Sequence, residues 1–336
     1  MISLGQGGDT LILVIDIGNT NIKFTGIEDC SQNGEPGPDG EDFSILFEDR
    51  LPTVRGKDIP DFLQQAHHLL VQHGISFMQD KDEGAVEAVA ISSVVPADTP
   101  AAVSLAERIC RRPPVLISCK SDSGLSFDRL PFPERVGTDR IADAAWAAAR
   151  YPLPAMTVDL GTATTINVVA PVSGEAVSEK WTKSAQDNEK NTELCASADG
   201  RSFLRPGLTG VFLGGMIGAG VRTSLQALRT GTAQLPELEP CAVPPENLIG
   251  INTDGCMLSS AIVGTAAMIE GLAARVEEQL DRPVTLILTG GNARFVSPWI
   301  RRPFIYEASL ASKGTAVIAL RELAKTGELF LTQQET

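Results

Sequence analysis

The chain has 336 residues, of which 43% are hydrophobic and 21% charged, enough for one large domain or two medium ones. A formal net charge of −14 disfavours nucleic acid or an anionic membrane as the main partner. We expect no signal peptide and no membrane span, because the N-terminus lacks a basic-then-apolar pattern and no run of about 18 apolar residues occurs. The six cysteines form no C-x-x-C pair, so we expect reduced thiols and a cytoplasmic location.

Apolar β-rich runs predict strands and helical periodicity predicts helices along the chain. The predicted strands are 11–16, 22–27, 43–48, 86–91, 115–117, 155–159, 163–170, 284–288 and 303–306. The predicted helices are 60–73, 98–111, 138–151, 221–230, 258–280 and 309–325. Paired strands followed by strand–helix alternation indicate an α/β fold with mixed sheets flanked by helices.

Two polar segments interrupt this pattern. Residues 28–42 are rich in Gly, Pro and acids and predict a loop between two strands. Residues 178–202 show almost no apolar periodicity. We interpret 178–202 as a surface excursion, with a lid over the substrate as the alternative.

One short pattern occurs twice. The stretch LILVIDIGNTNIKF (11–24) is an apolar strand that ends at Asp16 and turns through glycine and small polar residues. MTVDLGTATTINVV (156–169) repeats the pattern with Asp159. Backbone N–H groups and hydroxyls in such a loop can cradle phosphate, and the preceding carboxylate fits there if a hydrated Mg²⁺ lies between the two anions. Two such loops facing each other would hold a nucleoside triphosphate, although either loop alone is also compatible with a simple Asx-type turn.

A third stretch has a related shape. VTLILTGGNARF (284–295) is a predicted strand that ends in Gly290 and Gly291. Glycines there leave room for a flat ring or a sugar to approach the backbone, and a plain tight turn is the alternative interpretation.

Taken together, these pieces resemble the type III pantothenate kinases, which lie within the actin-like, sugar-kinase and heat-shock-type ATPase superfamily. The resemblance covers most of the chain outside the first ten residues and the two polar segments. The matching pieces, in order, are DIGNTNIKFTG (16–26), SSVVP (92–96), VGTDRIADAAWAA (136–148), VDLGTATTI (158–166), GVFLGGMIGAG (210–220), NTDGCMLSSAIVGTAAMIEGL (252–272) and LTGGNA (288–293).

The resemblance implies two tandem actin-like (ribonuclease H-like) subdomains, which we place at 10–152 and 153–330, with 178–202 inserted in the second. It implies ATP-dependent phosphorylation of pantothenate, the first step of coenzyme A biosynthesis. It also implies Mg²⁺, a monovalent cation such as K⁺ or NH₄⁺, and a homodimer with the substrate site near its interface.

The resemblance further assigns roles to individual residues. Asp139 would be the catalytic base, Asp159 would hold the monovalent cation and Asp16 would hold Mg²⁺ through water. The implied ATP-binding residues are Asp16, Ile17, Gly18, Asn19, Thr20, Asn21, Ile22, Lys23 and Thr162. The implied pantothenate-binding residues are Gly137, Thr138, Asp139, Arg140 and Thr253.

Elementary chemistry supports the assignment at Asp139. A carboxylate beside a nucleophilic hydroxyl orients it and accepts its proton, and a predicted helix start favours an anion. The alternatives are that Thr138 or Asp139 is an ordinary N-cap and that Arg140 pairs with a surface acid instead of a substrate carboxylate.

The chain also departs from the family pattern. Ala219 replaces a usual proline, Asn167 a frequent aspartate and Ser260 a frequent glycine. Two alternative functions therefore stay open at this stage. One is a non-catalytic regulatory paralogue and the other is a kinase for another small alcohol.

Overall fold

The computed structural model describes residues 10–30, 43–75, 77, 86–172, 207–241 and 248–325. The strands are β1 (Thr10–Ile17), β2 (Asn21–Asp29), β3 (Phe43–Pro52), β4 (Ala88–Ser93), β5 (Val115–Leu116), β6 (Leu125–Ser126), β7 (Ala155–Leu160), β8 (Ala163–Ala170), β9 (Gly210–Ala219), β10 (Thr285–Thr289) and β11 (Ile305–Tyr306). The α-helices are α1 (Ile59–Gln72), α2 (Thr99–Ala106), α3 (Thr138–Arg150), α4 (Val221–Gly231), α5 (Thr253–Leu280), α6 (Ala293–Val296) and α7 (Leu310–Lys325).

The first sheet has the order β3-β2-β1-β4-β5. β1, β2 and β3 are antiparallel, whereas β4 runs parallel to β1. β1 is a continuous apolar run because both of its faces are covered. Leu13 and Ile15 pack in one cluster with α1 and α2, and Ile12 and Val14 pack in another with α3 and α7.

The second sheet has the order β11-β10-β7-β8-β9-β6. β7, β8 and β9 are antiparallel, and β10 joins β7 in parallel. Both sheets are therefore mixed and flanked by helices, which confirms the predicted fold class.

Helices α3 and α7 join the two sheets. One apolar cluster contains Ile12 of β1 and Ile287 of β10 together with Trp146 of α3 and Leu320 of α7. The subdomain boundary at 152/153 stays a prediction. Two elements pack with the sheet on the other side of that boundary: β6 pairs in the second sheet, and α7 packs against strands of the first.

Most predicted elements are confirmed, and several bounds differ. β6, β9 and α6 are not among the predicted strands and helices, α5 begins at Thr253 instead of residue 258, and α2 ends at Ala106 instead of residue 111. The predicted loop 28–42 was placed too early, because β2 continues to Asp29. Residues 31–42 of the first polar segment and all of 178–202 lie outside the described residues, so both interpretations of them stay predictions.

Helix α5 bears on the membrane expectation. By length and composition alone it is long and apolar enough to cross a membrane. The sequence did not indicate this, because polar residues interrupt the apolar run. Its Ile262, Ala266 and Ile269 nevertheless lie in the apolar core beside the second sheet, as in the core helix of a globular domain.

Candidate functional site

The first strand–Asp–Gly loop is the tight turn between β1 and β2. The Gly18 N–H donates to the Asn21 carbonyl over 3.0 Å, which closes the turn. The neighbouring loop buttresses it, because the Thr53 hydroxyl donates to the Gly18 carbonyl over 2.6 Å. The side chains of Asn19 and Thr20 are left exposed at its tip.

The second loop joins β7 and β8 in the same way. The Gly161 N–H donates to the Ala163 carbonyl over 3.1 Å. The hydroxyl oxygens of Thr20 and Thr162 lie 3.0 Å apart, so the two loops meet tip to tip across 142 residues of sequence. The predicted facing arrangement of the loops is therefore what the structure shows.

The third stretch, after β10, packs against the second loop. Asn292 donates from its side chain to the Gly161 carbonyl over 2.9 Å and from its backbone to the Leu160 carbonyl over 2.9 Å. Gly290 has φ +90°, and a Cβ there would overlap the Asp159 carboxylate. Close approach of a side chain of the protein itself thus explains Gly290, whereas Gly291 faces open space.

These loops enclose a cleft of about 410 Å³. The predicted site residues that line it are Asp16, Gly18, Asn19, Thr20, Asn21, Lys23, Asp139, Asp159 and Thr162. Ile17 and Ile22 do not line it, because their side chains are fully buried in the core under the first sheet. Only their backbones can contribute to the first loop.

Asp139 reaches the cleft from the first turn of α3. The N-cap residue is Gly137, so neither Thr138 nor Asp139 is the N-cap, although the Asp139 side chain does accept from an N–H of the first helical turn. A Cβ on Gly137 would overlap the Asp139 carboxylate. The Asp139 Oδ1 accepts from the Arg140 N–H over 2.8 Å, and the Thr138 hydroxyl accepts from Ser92 over 3.0 Å.

Arg140 lies beside the cleft and does not line it. Its Nε donates to Asn167 Oδ1 over 2.7 Å, and its guanidinium lies 5.6 Å from the Phe212 ring centre. Burial lowers the pKa of Arg140. Among the described residues it has no carboxylate within salt-bridge distance, so the surface-acid alternative is not seen in that part of the chain. Thr253, at the start of α5, is exposed and also lies outside the cleft.

Sequence reasoning missed Asp143, which also lines the cleft. It follows Asp139 by four residues on α3, and this i, i+4 spacing was the available signal. Missed as well were Glu48 and Arg50 of β3. Arg50 lies opposite Lys23 in the β2–β3 register, and Glu48 forms an ion pair of 3.5 Å with Lys23.

The electrostatics of the cleft are dominated by carboxylates. Burial raises the pKa of Asp16, with Asp139 adding to the shift and Lys23 opposing it. Burial, Asp139 and Asp16 raise the pKa of Asp159 to about 6. Burial and the same neighbours, with Asp159 first among them, raise the pKa of Asp143 well above its ordinary value.

This donor set fits bound cations. Clustered carboxylates attract positive charge, and the buried Asp143 Oδ1 has no hydrogen-bond partner. Within the described residues no three acidic, His or Cys side chains converge as a metal-binding group. The arrangement therefore suits cations that take few ligands from the protein, such as Mg²⁺ with its waters and phosphate oxygens.

Comparisons with known proteins identify a family to which the sequence is similar. The family model for type III pantothenate kinase matches residues 12–175 and 208–275. The chain is 28% identical over 315 residues to a type III pantothenate kinase of Phenylobacterium zucineum, covering 94% of this chain and 100% of that protein. It is 29% identical over 307 residues to one of Thermomicrobium roseum, covering 90% and 95%. Among solved structures, the ROK hexokinase of Thermus thermophilus aligns with 94% of this chain and 100% of its own, with 13% identity and a TM-score of 0.40.

Proposed function

Because the chain belongs to the type III pantothenate kinase family, we propose that it transfers the γ-phosphoryl group of ATP to the primary hydroxyl of pantothenate. The product would be 4′-phosphopantothenate, made in the first step of coenzyme A biosynthesis. One observation carries the proposal at the level of the site. The two strand–Asp–Gly loops meet at Thr20 and Thr162, and Asp139 opens into the same cleft.

The nucleotide phosphates would lie between the two loops. The hydroxyls of Thr20 and Thr162 line this space and would turn from each other to the phosphates, and Lys23 adds a positive charge. Asp16 would hold Mg²⁺ through water, and Asp159 would hold K⁺ or NH₄⁺. These cations would neutralise charge on the transferring phosphoryl group.

Asp139 would act on the acceptor alcohol. Its carboxylate lines the cleft and lies in the first turn of α3, where the helix dipole favours the anion. In that position it can orient the pantothenate hydroxyl and accept its proton.

Pantothenate would extend from Asp139 toward Gly137, Thr138 and Arg140. The Arg140 guanidinium uses Nε on a neutral amide, so its charge remains available for the substrate carboxylate. Asn167 supports this arrangement, because its NH₂ group donates to the Thr157 hydroxyl over 3.1 Å, which leaves its oxygen facing Arg140. A family aspartate at 167 would neutralise Arg140 more strongly, so the departure favours anion binding.

We include a homodimer in the proposal. Ile217 of β9 is 65% exposed, and Ile249 and Ile251, just before α5, are 84% and 95% exposed. Side chains of this kind are typical of surfaces that pair with another chain. Thr253 follows directly, so a substrate role for Thr253 would place the substrate site near that interface. A cytoplasmic location, without a nucleic-acid or membrane partner, completes the proposal.

The proposal is tested by following ADP formation by the purified protein with ATP, Mg²⁺ and K⁺. Pantothenate should support turnover, and other small alcohols of similar size should not. Turnover with another alcohol alone would favour a different kinase. ATP binding without turnover on any acceptor would favour the non-catalytic paralogue.

A further inference from the structure

Asp143 is a carboxylate of the cleft that the proposed phosphoryl transfer does not use. It lies one helical turn after Asp139 on α3, and only 2% of it is exposed. It lines the same cleft as Asp16, Asp139 and Asp159. It is the one charged side chain among the buried residues of α3, and the others are apolar.

The Asp143 carboxylate lacks compensation inside the protein. Its Oδ1 is buried and has no hydrogen-bond partner. Burying a charged oxygen without a partner is costly, so such a group carries either a proton or a bound cation in the working protein.

The charged groups around Asp143 indicate that a bound cation, and not a hydrogen-bond donor of the protein, compensates its carboxylate. The acidic groups that act on Asp143 are Asp159, Asp139 and Asp16, and the positive group among them is Lys23. Lys23 is already paired with Glu48 at 3.5 Å. Arg140 interacts electrostatically with Asp139 and Asp143, but its Nε donates to Asn167 and it makes no hydrogen bond to Asp143. Five carboxylates line the cleft, those of Asp16, Glu48, Asp139, Asp143 and Asp159, against the two cations Lys23 and Arg50, so protein groups leave an excess of negative charge there.

We propose that Asp143 and Asp159 together hold one monovalent cation of the K⁺ class at the bottom of the cleft. The role of Asp159 as a cation ligand rests on the proposed kinase function. The new element is Asp143 as a second charged ligand of the same cation. Asp159 lies next to the last residue of β7, and its carboxylate lies so close to Gly290 that a Cβ there would overlap it.

The burial of Asp143 decides between cation classes. Mg²⁺ dehydrates reluctantly and keeps several waters, which suits the partly buried Asp16 better than Asp143, of which only 2% is exposed. K⁺ gives up its waters more easily and can therefore be held directly by the buried Asp143 carboxylate together with the partly buried Asp159 carboxylate. Two carboxylates and one monovalent ion leave a net negative charge, which the Mg²⁺ that accompanies the nucleotide can offset.

The test is cation binding without nucleotide or pantothenate. The melting temperature is measured while K⁺ replaces N-methylglucamine at constant ionic strength, for the wild type, Asp143→Asn, Asp159→Asn and the control Asp281→Asn. Asp281 is exposed and left-handed (φ +54°), a conformation that asparagine accepts, and it lies outside the cleft. K⁺ should raise the melting temperature of the wild type and the control, because a ligand that binds only the folded state stabilises it. In Asp143→Asn the apparent Kd for K⁺ should rise at least about tenfold.

A direct measurement keeps the proposal testable if a variant folds poorly. Tl⁺, a K⁺ surrogate, should show a bound ²⁰⁵Tl signal with the wild type that K⁺ displaces. A wild-type K⁺ response in Asp143→Asn, or no bound Tl⁺ in the wild type, would overturn the proposal. A response to Mg²⁺ but not to K⁺ would overturn the monovalent assignment. Since no substrate is present, failure to phosphorylate pantothenate would not alter these outcomes.

Discussion

Asp139 is the residue on which the proposed chemistry depends most. Asp139→Asn keeps the shape and the oxygen that accepts from the Arg140 N–H, but it cannot take the substrate proton. We expect kcat to fall at least about 100-fold, the usual size of a general-base effect, with little change in the melting temperature. Steady-state kinetics with pantothenate check this, with Asp281→Asn as the matched control. Near-normal turnover in Asp139→Asn would remove Asp139 from the mechanism.

Asp159 should make stability depend on pH. Its pKa rises from 3.8 to about 6 on folding, through burial and the neighbouring Asp139 and Asp16. Between these values the folded state binds more protons than the unfolded state, so the free energy of unfolding falls as pH rises through about 4 to 6. Asp159→Asn has no titrating carboxylate at this position, so it should not lose stability in this way as the pH rises. We therefore expect it to exceed the wild type by on the order of 1–3 kcal/mol above pH 7 and by little below pH 4.

Denaturant unfolding across this pH range, in buffer free of K⁺ and Mg²⁺, measures the difference. A difference between Asp159→Asn and the wild type that does not change with pH would contradict the account of the Asp159 environment.

Among the elements, the contact between α3 and α7 positions Asp139 and Asp143. A Cβ on Gly314 of α7 would overlap the Ala142 carbonyl of α3. Gly314→Ala should therefore lower the free energy of unfolding by about 1–3 kcal/mol, as overpacking does, despite the better helix propensity of alanine. Gly264→Ala is the matched control, because Gly264 lies inside α5 and a Cβ there would have no neighbouring atom within 4 Å.

The control Gly264→Ala should be neutral or stabilising by up to about 1 kcal/mol. Equal stability of the two variants in chemical denaturation would show that the helices can separate freely at Gly314.

Local patterns predicted most elements, and the misses have physical reasons. β9 was missed because Gly214, Gly215 and Gly218 give it a low strand propensity. It is a strand because it pairs along β8, and Gly215 lies so close to the Ile166 carbonyl that a side chain would not fit. The predicted start of α5 was too late because the N-cap Asn252 was overlooked. Its side-chain oxygen accepts from the Gly255 N–H over 2.8 Å.

At the site, sequence motifs predicted the functional residues that lie within one short stretch of the chain, such as those of the two strand–Asp–Gly loops. The repeated loops predicted their own meeting. Asp143 lies inside the matching piece 136–148, but the resemblance gave it no role, and only its i, i+4 spacing from Asp139 pointed to it. Helix α3, which carries it, packs against α7, a contact between distant segments that no local pattern specifies.

For the whole molecule, residues 178–202 test how much of the chain the fold requires. β8 and β9 pair antiparallel, with Ala170 opposite Val211, so the strands on either side of this segment are already neighbours. Replacing 178–202 by a short Gly-Ser link should change the free energy of unfolding by less than about 1 kcal/mol, because loop length is weakly penalised. Kinetics and sedimentation of the shortened protein provide the check. Loss of dimerisation or a severalfold rise in KM for pantothenate would instead identify the segment as part of the interface or a lid.

The central claim is that this cleft moves a phosphoryl group from ATP to the primary hydroxyl of pantothenate. The most direct measurement is ³¹P NMR and mass spectrometry of the products formed from ATP, Mg²⁺, K⁺ and pantothenate. We predict equal amounts of ADP and 4′-phosphopantothenate with the wild type and neither product above background with Asp139→Asn. ADP with inorganic phosphate in place of the phosphorylated pantothenate, or the same yield from Asp139→Asn, would contradict it.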